Sequence, residues 1–343
     1  MTSGVATISN LKTRQASIQY IPLPMTGDRA VMGFHRHLLE DRIRTESFLA
    51  AIETIVKPGD IVADIGAGTG ILSFASCRAG AKRVYAIERN AIVHKAREVA
   101  RSNGFHSQIM FLQQDANTIT LPEQVDVMVS ECIGLMGMGR LMAAVAHLAK
   151  RLLKANGMLI PGKLSMYLAP VESRVHFDYV HVWDKHWYGF DFSRLQQTAN
   201  NNVYVAWFDP MSFLADAKQV ASLDLLCDDV TCVHRELMFT SCRVGYVHGF
   251  CGWFEMHLGG GVSLDSSPFS PPTIWRQVFL PLEREVLIQE GTTINVDLYV
   301  NAGATKDETD DYFAWNTEVR NPNSNIPEAG FRQSTYSSVN RSP

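Results

Sequence analysis

Four stretches carry residues whose types and spacing could do chemistry. The first is Asp64-Ile65-Gly66-Ala67-Gly68-Thr69-Gly70. Glycines directly after an apolar strand let the backbone come close to a ligand and open the next helix. A tight strand-to-helix turn with no ligand is the plain alternative. The spacing is GxGxG, not the GxGxxG dinucleotide fingerprint. Asp64, just ahead, can organise the loop and face a ligand ammonium. The second is Glu88, which ends the next apolar run. An acid there accepts hydrogen bonds from both ribose hydroxyls and repels a 2′-phosphate. The third is Asp115-Ala116, at the end of a third apolar run, a candidate for the adenine surroundings or for a helix cap. The fourth is Ser130-Glu131, after a fourth run. A carboxylate there can border the cofactor and hold a cationic acceptor or take its proton. The alternative is a solvated or capping acid.

These residues need a frame that brings strand ends together. Apolar residues from Val31 to Lys57 recur at helical spacing until Pro58-Gly59 stops them. Strands follow at 61–65, 83–87, 109–112, 125–129 and 158–160, with helices at 71–79, after Glu88 to Asn103, and from about Arg140 to Lys154. Strict alternation predicts a doubly wound parallel sheet, which binds ligands at its strand carboxyl ends. Beyond Lys163 short β-rich segments take over (164–168, 230–233, 244–254, 293–300), which predicts a second, mainly antiparallel domain. Trp187 to Gln219 is less regular, with a helix-like stretch near Met211–Lys218. Asn321 to Pro343, rich in Ser, Asn and Pro, reads as a flexible tail.

Composition narrows the function classes. Of 343 residues, 46% are hydrophobic and 19% charged, which predicts a filled globular core. The net charge of −4 argues against a generic nucleic-acid binder. Six scattered cysteines form no CxxC pair, so reduced thiols in a cytoplasmic protein and no metal site are expected. No signal peptide or membrane span is expected either.

Together these residues resemble the protein arginine methyltransferase family, over roughly Gly33 to Val300. The stretch from His35 to Thr45 is similar to that family's first helical motif, and Val62–Ser73 to its cofactor loop. Ser130-Glu131-Cys132-Ile133-Gly134 resembles the start of its double-glutamate hairpin. Trp187-Tyr188-Gly189-Phe190-Asp191 resembles the start of its dimerisation arm, and Thr273-Ile274-Trp275 its Thr-His-Trp loop. The resemblance implies S-adenosylmethionine as cofactor, with Arg44 pairing the methionine carboxylate and Met142 matching the methionine after the hairpin. It also implies a homodimer. The departures cluster at the acceptor side. Arg140 stands where the second glutamate is expected, Ile274 replaces the loop histidine, and the tyrosines expected near Met25–Arg29 are absent.

The fold expected is a Rossmann-like class I methyltransferase domain followed by a β-barrel-like domain with a dimerisation arm. Its expected divisions are an N-terminal segment at 1–30, a cofactor domain at 31–162, an acceptor domain at 163–320 with the arm at about 187–220, and a tail at 321–343. Arg44, Asp64, Gly66, Gly68, Thr69, Gly70, Glu88, Asp115, Ala116 and Glu131 are expected to hold the cofactor. Glu131, Arg140 and Met142 are expected at the acceptor. A cation about 4 Å from a substrate guanidinium costs a few kcal/mol even at moderate dielectric. Arg140 therefore argues for a small-molecule or unusual peptide acceptor that carries a carboxylate or an aromatic ring and is methylated at nitrogen or carbon, with Arg140 as the anchor for a carboxylate. Protein arginine methylation and an inert cofactor-binding regulator are the alternatives.

Overall fold

The computed structural model describes residues 28–302, 311–322 and 327–335. The N-terminal half runs α1 (Asp28–Glu40), α2 (Arg42–Ile55), β1 (Ile61–Ile65), α3 (Ile71–Arg78), β2 (Arg83–Ile87), α4 (Ile92–Ser102), β3 (Ile109–Leu112), β4 (Val125–Ser130), α5 (Arg140–Leu152) and β5 (Leu153–Ile160). The five strands form one sheet in the order β3-β2-β1-β4-β5, parallel throughout. Helices cover both faces, so Val62, Ala63 and Asp64 of β1 are all fully buried and the strand reads apolar without alternation. From β1 the chain winds outward to β2 and β3, then crosses back to β4 on the other side of β1. The loops after β1 and β4 therefore diverge and open a crevice at the strand carboxyl ends.

Past Ile160 the sheet type changes. Strands β6 (Lys163–Val171), β9 (Tyr204–Ala206), β10 (Lys218–Asp224), β12 (Gly245–Gly259) and β14 (Gln277–Ile288) form an antiparallel sheet in the order β10-β6-β12-β14-β9, and β13 (Val262–Asp265) pairs with β12. A second antiparallel sheet runs β11 (Cys232–Thr240), β15 (Thr293–Asn301), β16 (Tyr312–Arg320) and β17 (Ala329–Ser334). Between β6 and β9 lie α6 (Arg174–Val180), the short hairpin β7 (His186–Trp187) and β8 (Phe190–Asp191), and α7 (Gln196–Asn200). A parallel α/β unit followed by a β-rich unit is the expected architecture.

Four local expectations need correction. The helical run from Val31 to Lys57 breaks at Asp41, whose Oδ1 accepts from the Arg44 N–H at 3.0 Å and N-caps α2. The helix expected up to Lys154 ends at Leu152. Met211–Lys218 is not helical. Asp209-Pro210 opens a single 3₁₀ turn at Pro210–Ser212, and Lys218 starts β10. The expected tail contributes β17, whose Ala329, Phe331 and Gln333 alternate inward against β16. The expectations for the N-terminal segment before Asp28 lie outside the described residues.

Candidate active site

The β1–α3 loop is built around two backbone turns. Gly66 and Gly68 sit at φ +74° and +52°, the left-handed region that glycine enters without strain. A methyl on Gly68 would lie 2.6 Å from Cε1 of His35, and one on Gly66 2.6 Å from Sγ of Cys132. Only glycine permits those approaches. Thr69 follows, and Gly70 is the N-cap residue of α3.

Acids sit at three strand ends. Asp64 of β1 is fully buried, accepts from Ser73 Oγ at 2.6 Å, and leaves Oδ1 with no partner. Burial pushes its carboxyl up to about 7, against the Ser73 hydrogen bonds that lower it. Glu88, after β2, accepts from the Gly68 N–H at 3.2 Å and the Asn90 N–H at 2.8 Å. It thus ties the glycine loop to the second strand. Asp115 is exposed and accepts from the Asn117 backbone at 2.8 Å, the capping role weighed for it, while it also borders the cavity below.

Glu131 follows β4 and forms a buried ion pair with Arg44 of α2. Burial raises the carboxyl and the Arg44 guanidinium opposes that rise. Arg44 also donates to Leu38 O at 3.0 Å, yet its Nε is buried without a partner. A buried guanidinium N–H without an acceptor is a place where an anionic ligand fits. The neighbouring Cys132 thiol is pushed up to about 12 by burial, so it stays protonated.

These parts enclose a cavity of about 1320 Å³. Its wall brings together Arg44, Gly66, Gly68, Thr69, Glu88, Asp115, Ala116, Glu131 and Arg140. Asp64 and Gly70 lie behind the wall. Met142 does not reach it. That side chain is 2% exposed in the core, because two residues along α5 from Arg140 turns it about 200° away. Two methionines anchor the Leu135–Gly139 hairpin in the core. Met136, at φ +52°, and Met138 are each 1% exposed, and Met136 packs where a methyl on Gly252 would lie 2.6 Å from its Sδ.

His35 and Asp311 are among the wall residues that carry no assignment from the sequence. His35 of α1 lies over Gly68, and burial lowers its pKa, so the ring is held neutral. Asp311 reaches the wall from the β15–β16 side. By contrast, His234, His248 and His257 make contacts within the barrel. They pair with Asp297, with Ser173 N–H and Glu285, and with Ser263 respectively.

A hydrogen bond also ties α2 to the barrel loop that borders the cavity. Asp41, whose Oδ1 caps α2, accepts with Oδ2 from the Ile274 N–H at 2.7 Å.

Residues 163–318 match the arginine methyltransferase oligomerization subdomain, and residues 43–188 match the ribosomal protein L11 methyltransferase (PrmA) family. The chain is 32% identical over 282 residues to a protein arginine N-methyltransferase 6 of Xenopus laevis, spanning 78% of this chain and 83% of that one. The chain belongs to the protein arginine methyltransferase family. Another similar member is an arginine N(omega)-methyltransferase of Streptomyces achromogenes subsp. streptozoticus, 30% identical over 279 residues, 79% of this chain and 76% of that one. Among solved structures, the Trypanosoma brucei PRMT1 enzyme–prozyme heterotetrameric complex with AdoHcy superposes with TM-score 0.79 at 24% identity. That match covers 88% of this chain and 97% of the other, and it shows the fold. The arginine methyltransferase family favours the protein-arginine alternative over the small-molecule acceptor expected from Arg140 and Ile274.

Proposed function

We propose that this protein arginine methyltransferase family member moves a methyl group from S-adenosylmethionine to a guanidinium nitrogen of arginine in a protein. The observation that carries the reading is Glu131, its side chain 10% exposed, at the carboxyl end of β4 in the cavity shared with the glycine loop. The residues present fit the cofactor. Gly66, Gly68 and Thr69 give it backbone room, Glu88 suits a ribose, Asp115 and Ala116 border the adenine side, and the unpartnered Arg44 Nε suits its carboxylate end. S-adenosylmethionine supplies a sulfonium-borne methyl, and its C–S bond breaks as the N–C bond forms.

The chain's own residues position the acceptor. Glu131 accepts a guanidinium N–H and fixes the nitrogen that attacks, which is catalysis mainly by orientation. The attacking nitrogen loses one proton after transfer, with Glu131 as the nearby carboxylate. Apolar wall residues such as Ile65, Leu135 and Val278 exclude water, which favours loss of the sulfonium charge.

A second reading is free arginine as acceptor, with Arg140 anchoring its carboxylate. The observations favouring it are Arg140 in the cavity wall and the Streptomyces relative named for arginine rather than protein arginine. Following S-adenosylhomocysteine formation with an Arg-Gly-rich peptide and with free arginine separates the two. Turnover of the peptide supports the first reading, turnover of free arginine alone the second, and turnover of neither refutes both.

A homodimer in a reducing, cytoplasmic setting completes the reading. Its supports are the oligomerization-subdomain match, the exposed Trp187, Tyr188 and Phe190, and six free thiols. Light scattering that finds a monomer at working concentration would remove the dimer. The division into a cofactor domain at 31–162 and an acceptor domain at 163–320 belongs to the same reading, supported by the change from parallel to antiparallel pairing after Ile160.

A further inference from the structure

The barrel wall of the cavity ends in a cation backed by an aromatic ring. Val205 of β9 and Val278 of β14 are paired across the sheet, and both line the cavity. The next pair, Ala206 and Gln277, turns into the core. Beyond it the two strands end, and Arg276 lies over the ring of Trp207, its guanidinium carbon 5.7 Å from the ring centroid. Arg276 lines the same cavity and is exposed, as is Trp207 at 45%, so the pair stands at the mouth. Among the described residues the Arg276 guanidinium forms no ion pair, and the Trp207 ring is its partner.

The backbone fixes where this cation stands. Arg276 sits at φ +56°, a conformation that a side chain of this size enters only at a cost, and its N–H donates to Thr273 O at 3.2 Å to close a turn. Such strain is typical of functional sites. The turn is also tied toward the acceptor acid. Its Ile274 N–H donates to Asp41 Oδ2 at 2.7 Å, and Asp41 is close enough to Glu131 for its charge to push that carboxyl up.

We propose that Arg276, held against Trp207 at the mouth of the cavity, is a carboxylate subsite that selects arginine acceptors carrying an acid near the reacting guanidinium. This rests on the arginine reading above. The acid is either the side chain of a residue flanking the target arginine or the α-carboxylate of free arginine. Stacking occupies the face of the guanidinium and leaves its in-plane N–H donors open, which is the fork that a carboxylate fits. The same charge repels an acceptor that is basic beside its target.

The experiment uses the full-length wild type, Arg276→Gln and Arg276→Glu, and reads kcat/KM at saturating S-adenosylmethionine. One arm compares single-arginine peptides that differ only in a flanking residue, glutamate, glutamine or lysine, placed in turn at the neighbouring positions. The other compares free arginine with argininamide. The expected result is a wild-type preference of about fivefold for the glutamate peptide over the glutamine one, or for arginine over its amide, the scale of one exposed charge pair. The preference fades at high salt. In Arg276→Gln the ratio falls to about one, and in Arg276→Glu it inverts toward the lysine peptide or the amide, which a merely structural role for the arginine would not produce. The arm that shows the preference names the source of the carboxylate. An active wild type indifferent to the acid overturns this inference alone, and that comparison needs no variant to fold. A preference that survives in Arg276→Gln overturns it as well. A wild type inert on every acceptor removes the arginine reading and this inference together.

Discussion

The buried acid under the glycine loop makes a prediction that needs no substrate. Asp64 is fully buried, holds one hydrogen bond from Ser73, and has its carboxyl raised from 3.8 to about 7 by burial. The native carboxyl therefore binds its proton more tightly than the unfolded one. Its stabilisation is fully present below the unfolded value near 3.8 and is lost as pH rises through the folded value near 7. Across that window the change amounts to about 4 kcal/mol, at 1.36 kcal/mol per pKa unit. Asp64→Asn removes the titration while keeping an acceptor for Ser73. The variant's stability relative to wild type should therefore grow by about 2–3 kcal/mol between pH 5 and pH 8. On a large domain that is roughly 5–10 °C of melting temperature. Thermal melts of both ligand-free proteins at pH 5, 6, 7 and 8 read it directly. A constant offset from the Asn amide would shift all points alike, so the slope is the test. A gap that stays flat with pH would mean that Asp64 is charged at neutral pH, and the burial argument would be wrong.

Other perturbations probe the rest of the site. Glu88→Gln should weaken S-adenosylhomocysteine binding by about 10- to 100-fold, the scale of a charged hydrogen bond, read by calorimetric titration. Gly68→Ala puts a side chain at φ +52° against the His35 ring, so it should cost about 1–2 kcal/mol of stability and abolish measurable cofactor binding; retained binding would show that the loop can relax. Glu131→Gln leaves buried Arg44 without its anion and should lower the unfolding free energy by about 3 kcal/mol, measured by denaturant titration, besides stopping methyl transfer. Asp41→Ala removes both the α2 cap and the barrel joint and should cost about 1–2 kcal/mol; an unaltered melting curve would discount the joint.

What the sequence made legible was what lies close along the chain. The loop from Asp64 to Gly70 and the acid at Glu88 are fixed by neighbouring strands, and their roles follow from one βαβ unit. Arg140 stood out because a single position reversed the expected charge. The pairing of Arg44 with Glu131 was hidden, since 87 residues separate the two. The joint from Asp41 to Ile274 spans 233 residues, and no local pattern announces it. Asp311 lies beyond every motif and reaches the cavity only because the barrel folds back. The break at Asp41 did carry a signal, an acid ahead of an apolar run, but helical spacing continued across it. In β17 the Ser- and Asn-rich flanks masked an alternation of only three inward residues, Ala329, Phe331 and Gln333.

The joint between Asp41 and residue 274 is made by a main-chain N–H, a donor that every amino acid except proline carries. The joint itself therefore makes no demand on the side chain at 274, and Ile274 can occupy a histidine's place while this attachment of barrel to helix endures. Asp41 has no such latitude, because its two oxygens serve a helix end and the barrel at once. In the wider family, change should therefore accumulate on the loop side of this contact and stall on the carboxylate side.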